Sequence, residues 1–281
     1  MRKALGLTGL LFALVLFTTI WESTHDDGSI SFLTTPNIRN LLTWIGLFGI
    51  LSLAQMFVIT TGGIDLSVGS LVGLVGVSAA MMLNKGQGLP PIAVVPLCLG
   101  IGVAAGLWHG LLISKLDLQP FIVTLCSLFL FRGITRLITG DQSQGFAGAY
   151  PGLRWFGNGF IGGTIAVPFV ILILLAIVIG AYLHFSPAGR HLFALGANEE
   201  GARFSGIRTD RLKITAYVLC SLITACGGLL LAFKVNSLGP SDFGSFFELY
   251  AIAGAVLGGC SLRGGSGNVI GVLIGASLLN V

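Results

Sequence analysis

Few residues in this chain could do chemistry in unusual surroundings, and Asp65 is foremost among them. It lies in ITTGGIDLSVGS, behind Gly62 and Gly63, between two long uncharged runs at residues 40–64 and 66–84. An acid at the centre of a bilayer costs roughly 2.5–3.5 kcal/mol and usually faces a cavity or a partner. A plain structural role fits the same residue. Gly62 and Gly63 each cost about 1 kcal/mol in a helix interior relative to Ala, so together they end the preceding helix. Asp65 is then placed to cap the next one by accepting from the amide of Ser67 or Val68. Residue types alone leave both roles open.

A second stretch bears on the first. GGCSLRGGS, residues 258–266, lines up with GGIDLSVGS, residues 62–70: the glycine pair, Leu66 with Leu262, Gly69 with Gly265, and Ser70 with Ser266. Ser261, another capping residue type, stands where Asp65 stands. With 42 glycines in the chain, chance is one explanation. The other is two halves, each with an interrupted helix, which is a sequence pointer to a transport site. On that reading Gly62, Gly63, Asp65, Ser67, Ser261 and Ser266 approach a solute path.

The longest polar stretch reads SPAGRHLFALGANEEGARFSGIRTDRLK, residues 186–213. Asn198 is a good N-cap, Glu199 and Glu200 fall in the first turn where the helix dipole favours acids, and Gly206 is placed just past the end. The pattern predicts a helix of about seven residues, too short to be stable alone. Ala202, Phe204 and Ile207 give it a small apolar face. It is either a solvated loop whose basic residues fix topology or a docking element for a partner.

Other candidates carry less. His109, in AAGLWHGLLISKL, is the only histidine inside an apolar run and has no acid one helical turn away, so a packing role is expected. Arg132 and Arg136, near the end of their helix, are read as snorkelling. The five cysteines (Cys98, Cys126, Cys220, Cys226 and Cys260) lie in apolar segments without metal-ligand spacing. There is no G-x-x-x-x-G-K-[ST] loop, Ser-His-Asp set, paired-carboxylate site or metal cluster. The chain is therefore read as no enzyme, with no metal and no cofactor of its own, and nothing suggests nucleic acid. Scarce intramembrane acids and bases argue against a proton-driven carrier.

The elements that must position these residues follow from composition. Of 281 residues 54% are hydrophobic and only 9% charged, and mean hydropathy is +0.94. Uncharged windows at 4–21, 40–64, 66–84, 86–114, 155–189, 214–233 and 264–281 are of spanning length. Shorter ones at 118–131 and 249–262 bring the expectation to about nine crossings. Continuous apolar runs imply helices and not a barrel. The expected fold is an all-α, polytopic helical membrane protein, one transmembrane domain over 1–281, with helices interrupted after Ile64 and Leu257. Window 4–21 reads as an uncleaved first helix. Arg2 and Lys3 place the N-terminus in the cytoplasm, and parity with the basic content of residues 184–213 puts that loop there too. The stretch with Glu22, Asp26 and Asp27 then falls outside. By the same count the chain ends outside after its ninth crossing, as if a last helix were missing.

ITTGGIDLSVGS, PFIVTLCSLFLFRGITRLITG, GRHLFALGANEEGARFSGIRTDRLKI and AIAGAVLGGCSLRGGSGNVIGVLIGA together resemble the permease subunits of bacterial monosaccharide ABC importers, of the ribose, xylose, arabinose and galactose type. The resemblance covers nearly the whole chain. It implies two permease subunits in the inner membrane, same or homologous, around a central path. It also implies cytoplasmic ATPase subunits that hydrolyse the ATP, and a periplasmic sugar-binding protein. It places ATPase docking at residues 198–207, with Glu199, Glu200, Gly201, Ala202 and Gly206 carried over. At His109 that family usually has Asn before Gly, and its members run further, through a last helix. The expected function is passage of a monosaccharide into the cytoplasm by alternating access. Alternatives are a nucleoside or branched-chain amino acid permease, an ion-coupled carrier acting alone, and a nonfunctional truncated paralogue.

Overall fold

In lipid every backbone N–H and C=O must be satisfied within its own segment, so runs this apolar fold as helices. The structure, a computed structural model, describes residues 2–25, 32–83, 88–146, 150–235 and 237–281. Asp26 and Asp27 lie outside them. The helices are α1 (Arg2–His25), α2 (Thr35–Thr60), α3 (Val68–Leu83), α4 (Pro91–Lys115), α5 (Pro120–Thr139), α6 (Pro151–Asn158), α7 (Val167–Phe185), α8 (Pro187–Ala197), α9 (Glu199–Phe204), α10 (Thr209–Lys234), α11 (Phe247–Leu257) and α12 (Val269–Leu278). Five of them, α2, α4, α5, α7 and α10, are long and apolar enough to cross a membrane. Shorter apolar helical stretches are Gly6–Glu22, Val68–Leu83, Phe247–Leu257 and Val269–Leu278. The chain is an all-α, polytopic membrane protein.

Among the described residues there are also two small antiparallel ladders. β1 (Gln144–Gly145) pairs with β4 (Ser237–Leu238), and β2 (Phe160–Ile161) with β3 (Ile165–Ala166). The second ladder accounts for one difference from the sequence windows. The run 155–189 is not one helix. Asn158 donates to the carbonyls of Phe233 and Lys234, tying the end of α6 to the end of α10, and a hairpin intervenes before α7. The other difference is that the first break comes early: α2 stops at Thr60 and not at Ile64, whereas α11 stops at Leu257 as expected.

The core sits around α2 and α10, which run in opposite directions. Gln55 lies level with Cys220, while Leu51 meets Gly227 further along. α4 packs on α10 through glycines spaced by four. A Cβ at Gly102 would stand 2.7 Å from the Ser221 carbonyl oxygen, at Gly106 2.5 Å from Val218 Cα, and at Gly110 2.7 Å from Ile214 Cα. Small residues at such spacing let helix backbones approach closely in lipid, where no hydrophobic force holds helices together. α11 and α12 repeat the device: Gly254 of α11 and Gly258 just past its end face Gly271 and Gly275 of α12.

Arg132 does not snorkel. Its guanidinium donates to the carbonyls of Phe243 (2.8 Å) and Pro240 (3.3 Å) and reaches Ser245, fastening α5 to the segment that leads into α11. Arg136 is exposed and clamps Asp141 at 2.6 and 3.0 Å.

Candidate functional site

The turn between α2 and α3 sits inside the bundle. Gly62 adopts φ +83°, a conformation that side chains rarely tolerate, and turns the chain after Thr60. Asp65 Oδ1 then accepts from the Ser67 amide at 2.8 Å and from the Ser67 hydroxyl at 2.7 Å. This is the expected bond to Ser67, although α3 itself begins at Val68. Gln55 of α2 donates to the Asp65 carbonyl at 3.2 Å, and Thr124 of α5 to that of Ile64 at 3.2 Å. Bonds within the turn and from two helices, α2 and α5, therefore hold it.

Depth, which the sequence left open, follows from a neighbour. Cys220 Sγ stands 4.0 Å from Asp65 Oδ2. Cys220 is about 16 Å from the start of α10 at 1.5 Å per residue, so Asp65 lies well within the span of that helix. Asp65 is fully buried.

Oδ2 meets a residue that sequence spacing did not connect to it. His109 Nδ1 lies 3.8 Å away, beyond hydrogen-bond length. His109 is itself fully buried, its ring 6.1 Å edge-on from Tyr217 and 5.8 Å from Phe131. Neither imidazole nitrogen nor the Tyr217 hydroxyl has a hydrogen-bond partner among the described residues. His109 packs as expected, against Phe131 and Tyr217, with its ring nitrogens facing no protein hydrogen-bond partner among the described residues. A usable signal existed: His109 sits beside Gly106 and Gly110, on the face that α4 presses against α10.

The second break copies the first in part. Ser261 Oγ accepts from the Arg263 amide at 3.2 Å, the same two-residue step that Asp65 makes to Ser67. Ser261 does not cap a helix, however. The chain stays irregular until Asn268, whose side chain accepts from Ile270 at the start of α12. Ser266 is exposed, whereas Ser67 is fully buried. The breaks touch, since the Gly265 amide donates to the Thr60 carbonyl at 3.0 Å. Gly62, Gly63, Asp65 and Ser67 therefore share one turn, with Ser261 and Ser266 in the adjoining break.

The polar loop forms two helices. Ser186 accepts from the Gly189 amide to start α8, and Asn198 accepts from Gly201 at 2.8 Å to start α9, as expected. α9 has six residues and not about seven. It ends at Gly206, φ +82°, with the Ile207 amide bonded to the Ala202 carbonyl. What holds this short helix is local: Ala202 is buried, and Glu199 accepts from Lys213 at 2.7 Å and Arg203 at 3.3 Å. Its expected apolar face is split. Ala202 turns inward, Ile207 is half-buried, and Phe204 is 91% exposed. Glu200 is exposed.

A cleft of about 270 Å³ runs from this helix to the turn, lined by Glu199, Lys213, Asp117, Gly62, Gly63 and Tyr217 among others. The polar loop and the glycine break thus border one cleft.

Residues 37–281 match the family described as branched-chain amino acid transport system / permease component. The ribose import permease protein RbsC of Bacillus subtilis is 38% identical over 96% of this chain and 80% of its own length. That of Escherichia coli K12 is 37% identical over 89% and 77%. The galactofuranose transporter permease protein YtfT of Escherichia coli K12 is 33% identical over 97% and 79%. No solved structure matches. With most of its length matched by the family and by these relatives, the chain belongs to this family of transport-system permease components.

Proposed function

We propose that this chain is the membrane-spanning subunit of an ATP-driven importer that passes a monosaccharide from a periplasmic binding protein to the cytoplasm by alternating access. Relatives named for ribose and galactofuranose support the substrate class. The chain has no nucleotide-binding loop, so ATP is hydrolysed by cytoplasmic ATPase subunits. A second permease subunit completes the path, in the inner membrane, with about nine crossings in this chain and its N-terminus in the cytoplasm.

One observation carries the reading of the polar loop. α9 is capped by Asn198 and buried at Ala202, yet it presents Phe204 almost fully to solvent. A small helix fixed this firmly with a bare aromatic suits insertion into a groove of a soluble partner, with Asn198, Glu200 and Gly201 beside it. Glu200→Arg and Phe204→Ala, expressed with the ATPase subunit, should each abolish its co-purification with the permease and leave membrane insertion intact. Undiminished co-purification in both variants contradicts docking at α9.

A further inference from the structure

Three glycines remote in sequence meet backbone to backbone between the polar loop and the two breaks. Gly196, in the last turn of α8, has no room for a side chain: a Cβ there would overlap the Thr60 carbonyl oxygen and the Gly265 amide. A Cβ at Gly264 would stand 2.7 Å from the Gly196 carbonyl oxygen and 2.8 Å from the Gly62 amide nitrogen. One at Gly265 would lie 2.8 Å from Ala197 Cα. The Gly265 to Thr60 hydrogen bond closes the set. Asn198, which caps α9, is two residues from Gly196. Gly62 opens the turn that carries Asp65.

Another link from α9 to the bundle is the Glu199–Lys213 ion pair. Glu199 is about a third exposed there, and such pairs are worth only about 0–1 kcal/mol and flex with their long side chains. Backbone in van der Waals contact with backbone has no such compliance, because packed atoms cannot absorb displacement by rotamer change.

We propose that Gly196 is a positioning residue: through Thr60 and Gly264–Gly265 it carries motion of the docking segment to the turn that holds Asp65. This rests on the importer reading above. The junction moves as one body, and a side chain at 196 wedges it apart.

The test uses the whole transporter in proteoliposomes, with ATPase subunits, binding protein and the transported sugar, reading sugar imported per ATP hydrolysed. Gly196→Ala should keep the ATPase bound and hydrolysing within about twofold of wild type while the ratio falls at least tenfold. A role in stability alone would lower the amount of complex and leave the ratio unchanged, which overturns the proposal. Gly180→Ala, whose Cβ would meet nothing within 4 Å, and Lys213→Gln should each hold the ratio within about twofold. A tenfold fall in Lys213→Gln moves the coupling to the ion pair and also overturns it. Should Gly196→Ala fail to assemble, spin labels on the exposed positions Arg190→Cys and Arg263→Cys, in a Cys126→Ser background, decide. Their separation should change by less than about 2 Å between ATP-free and ATP-bound transporter. A larger change shows that the junction opens and refutes the rigid link. A wild-type chain without ATP-dependent uptake contradicts the importer reading itself.

Discussion

The carboxylate of Asp65 and the imidazole of His109 face each other at 3.8 Å inside the bundle, both fully buried. One comes from a glycine-broken turn and the other from a glycine-faced helix. Neither is a neighbour of the other in sequence. The turn commits Oδ1 to Ser67, whereas Oδ2 faces the Cys220 thiol at 4.0 Å and His109 at 3.8 Å.

The bond to Ser67 and the charge separate in variants of Asp65. Asparagine keeps an oxygen to accept from the Ser67 amide and removes the charge, whereas alanine removes both. Asp65→Ala should lower stability by about 1 kcal/mol more than Asp65→Asn, the typical worth of a capping bond. Thermal unfolding in detergent measures this. Equal losses would show that the bond to Ser67 contributes nothing.

The pair itself can be measured by a double-mutant cycle. If Oδ2 and the imidazole interact, Asp65→Asn and His109→Asn together should cost less than the sum of the single changes, by about 1 kcal/mol. Additive losses would mean that the two groups are near but uncoupled.

Glycine spacing on α4 predicts a sharp contrast within one helix. Gly106→Ala drives a methyl into the α10 backbone and should destabilise by about 1–3 kcal/mol. Gly100→Ala, with nothing within 4 Å, should be neutral or stabilising by up to about 1 kcal/mol. The melting temperatures should move apart accordingly. Equal shifts would contradict the close α4–α10 packing.

Cysteine labelling tests whether both breaks approach the solute path. Ser266→Cys should react readily with a small polar thiol reagent, because Ser266 is exposed. Ser67→Cys is buried at rest and should react only while the assembled transporter turns over ATP. A Ser67→Cys that stays inert during turnover would remove this turn from the path.

Much of this was legible in the chain. Uncharged windows marked the apolar helices, Asn198 and Gly206 bounded α9 within a residue, and Asp65 bonded to the amide its spacing suggested. Ser261, expected as a capping residue in the place of Asp65, accepts from the Arg263 amide but starts no helix, since Asn268 caps α12. Hidden features were those set by tertiary contact. Nothing local says that α4 brings His109 to Asp65, that Arg132 finds the carbonyls before α11, or that Phe204 points away from Ala202 and into solvent. Three glycines meeting at residues 62, 196 and 264 are equally invisible in a chain with 42.

The most direct measurement is uptake by purified components. The chain is reconstituted in proteoliposomes with its ATPase subunits inside, and with binding protein and labelled ribose or galactofuranose outside. The account predicts accumulation of one of these sugars or a close relative only when ATP is present in the lumen, and none without the ATPase subunits. Equal uptake by the chain alone, without ATPase or ATP, would contradict it and show a carrier or channel acting by itself.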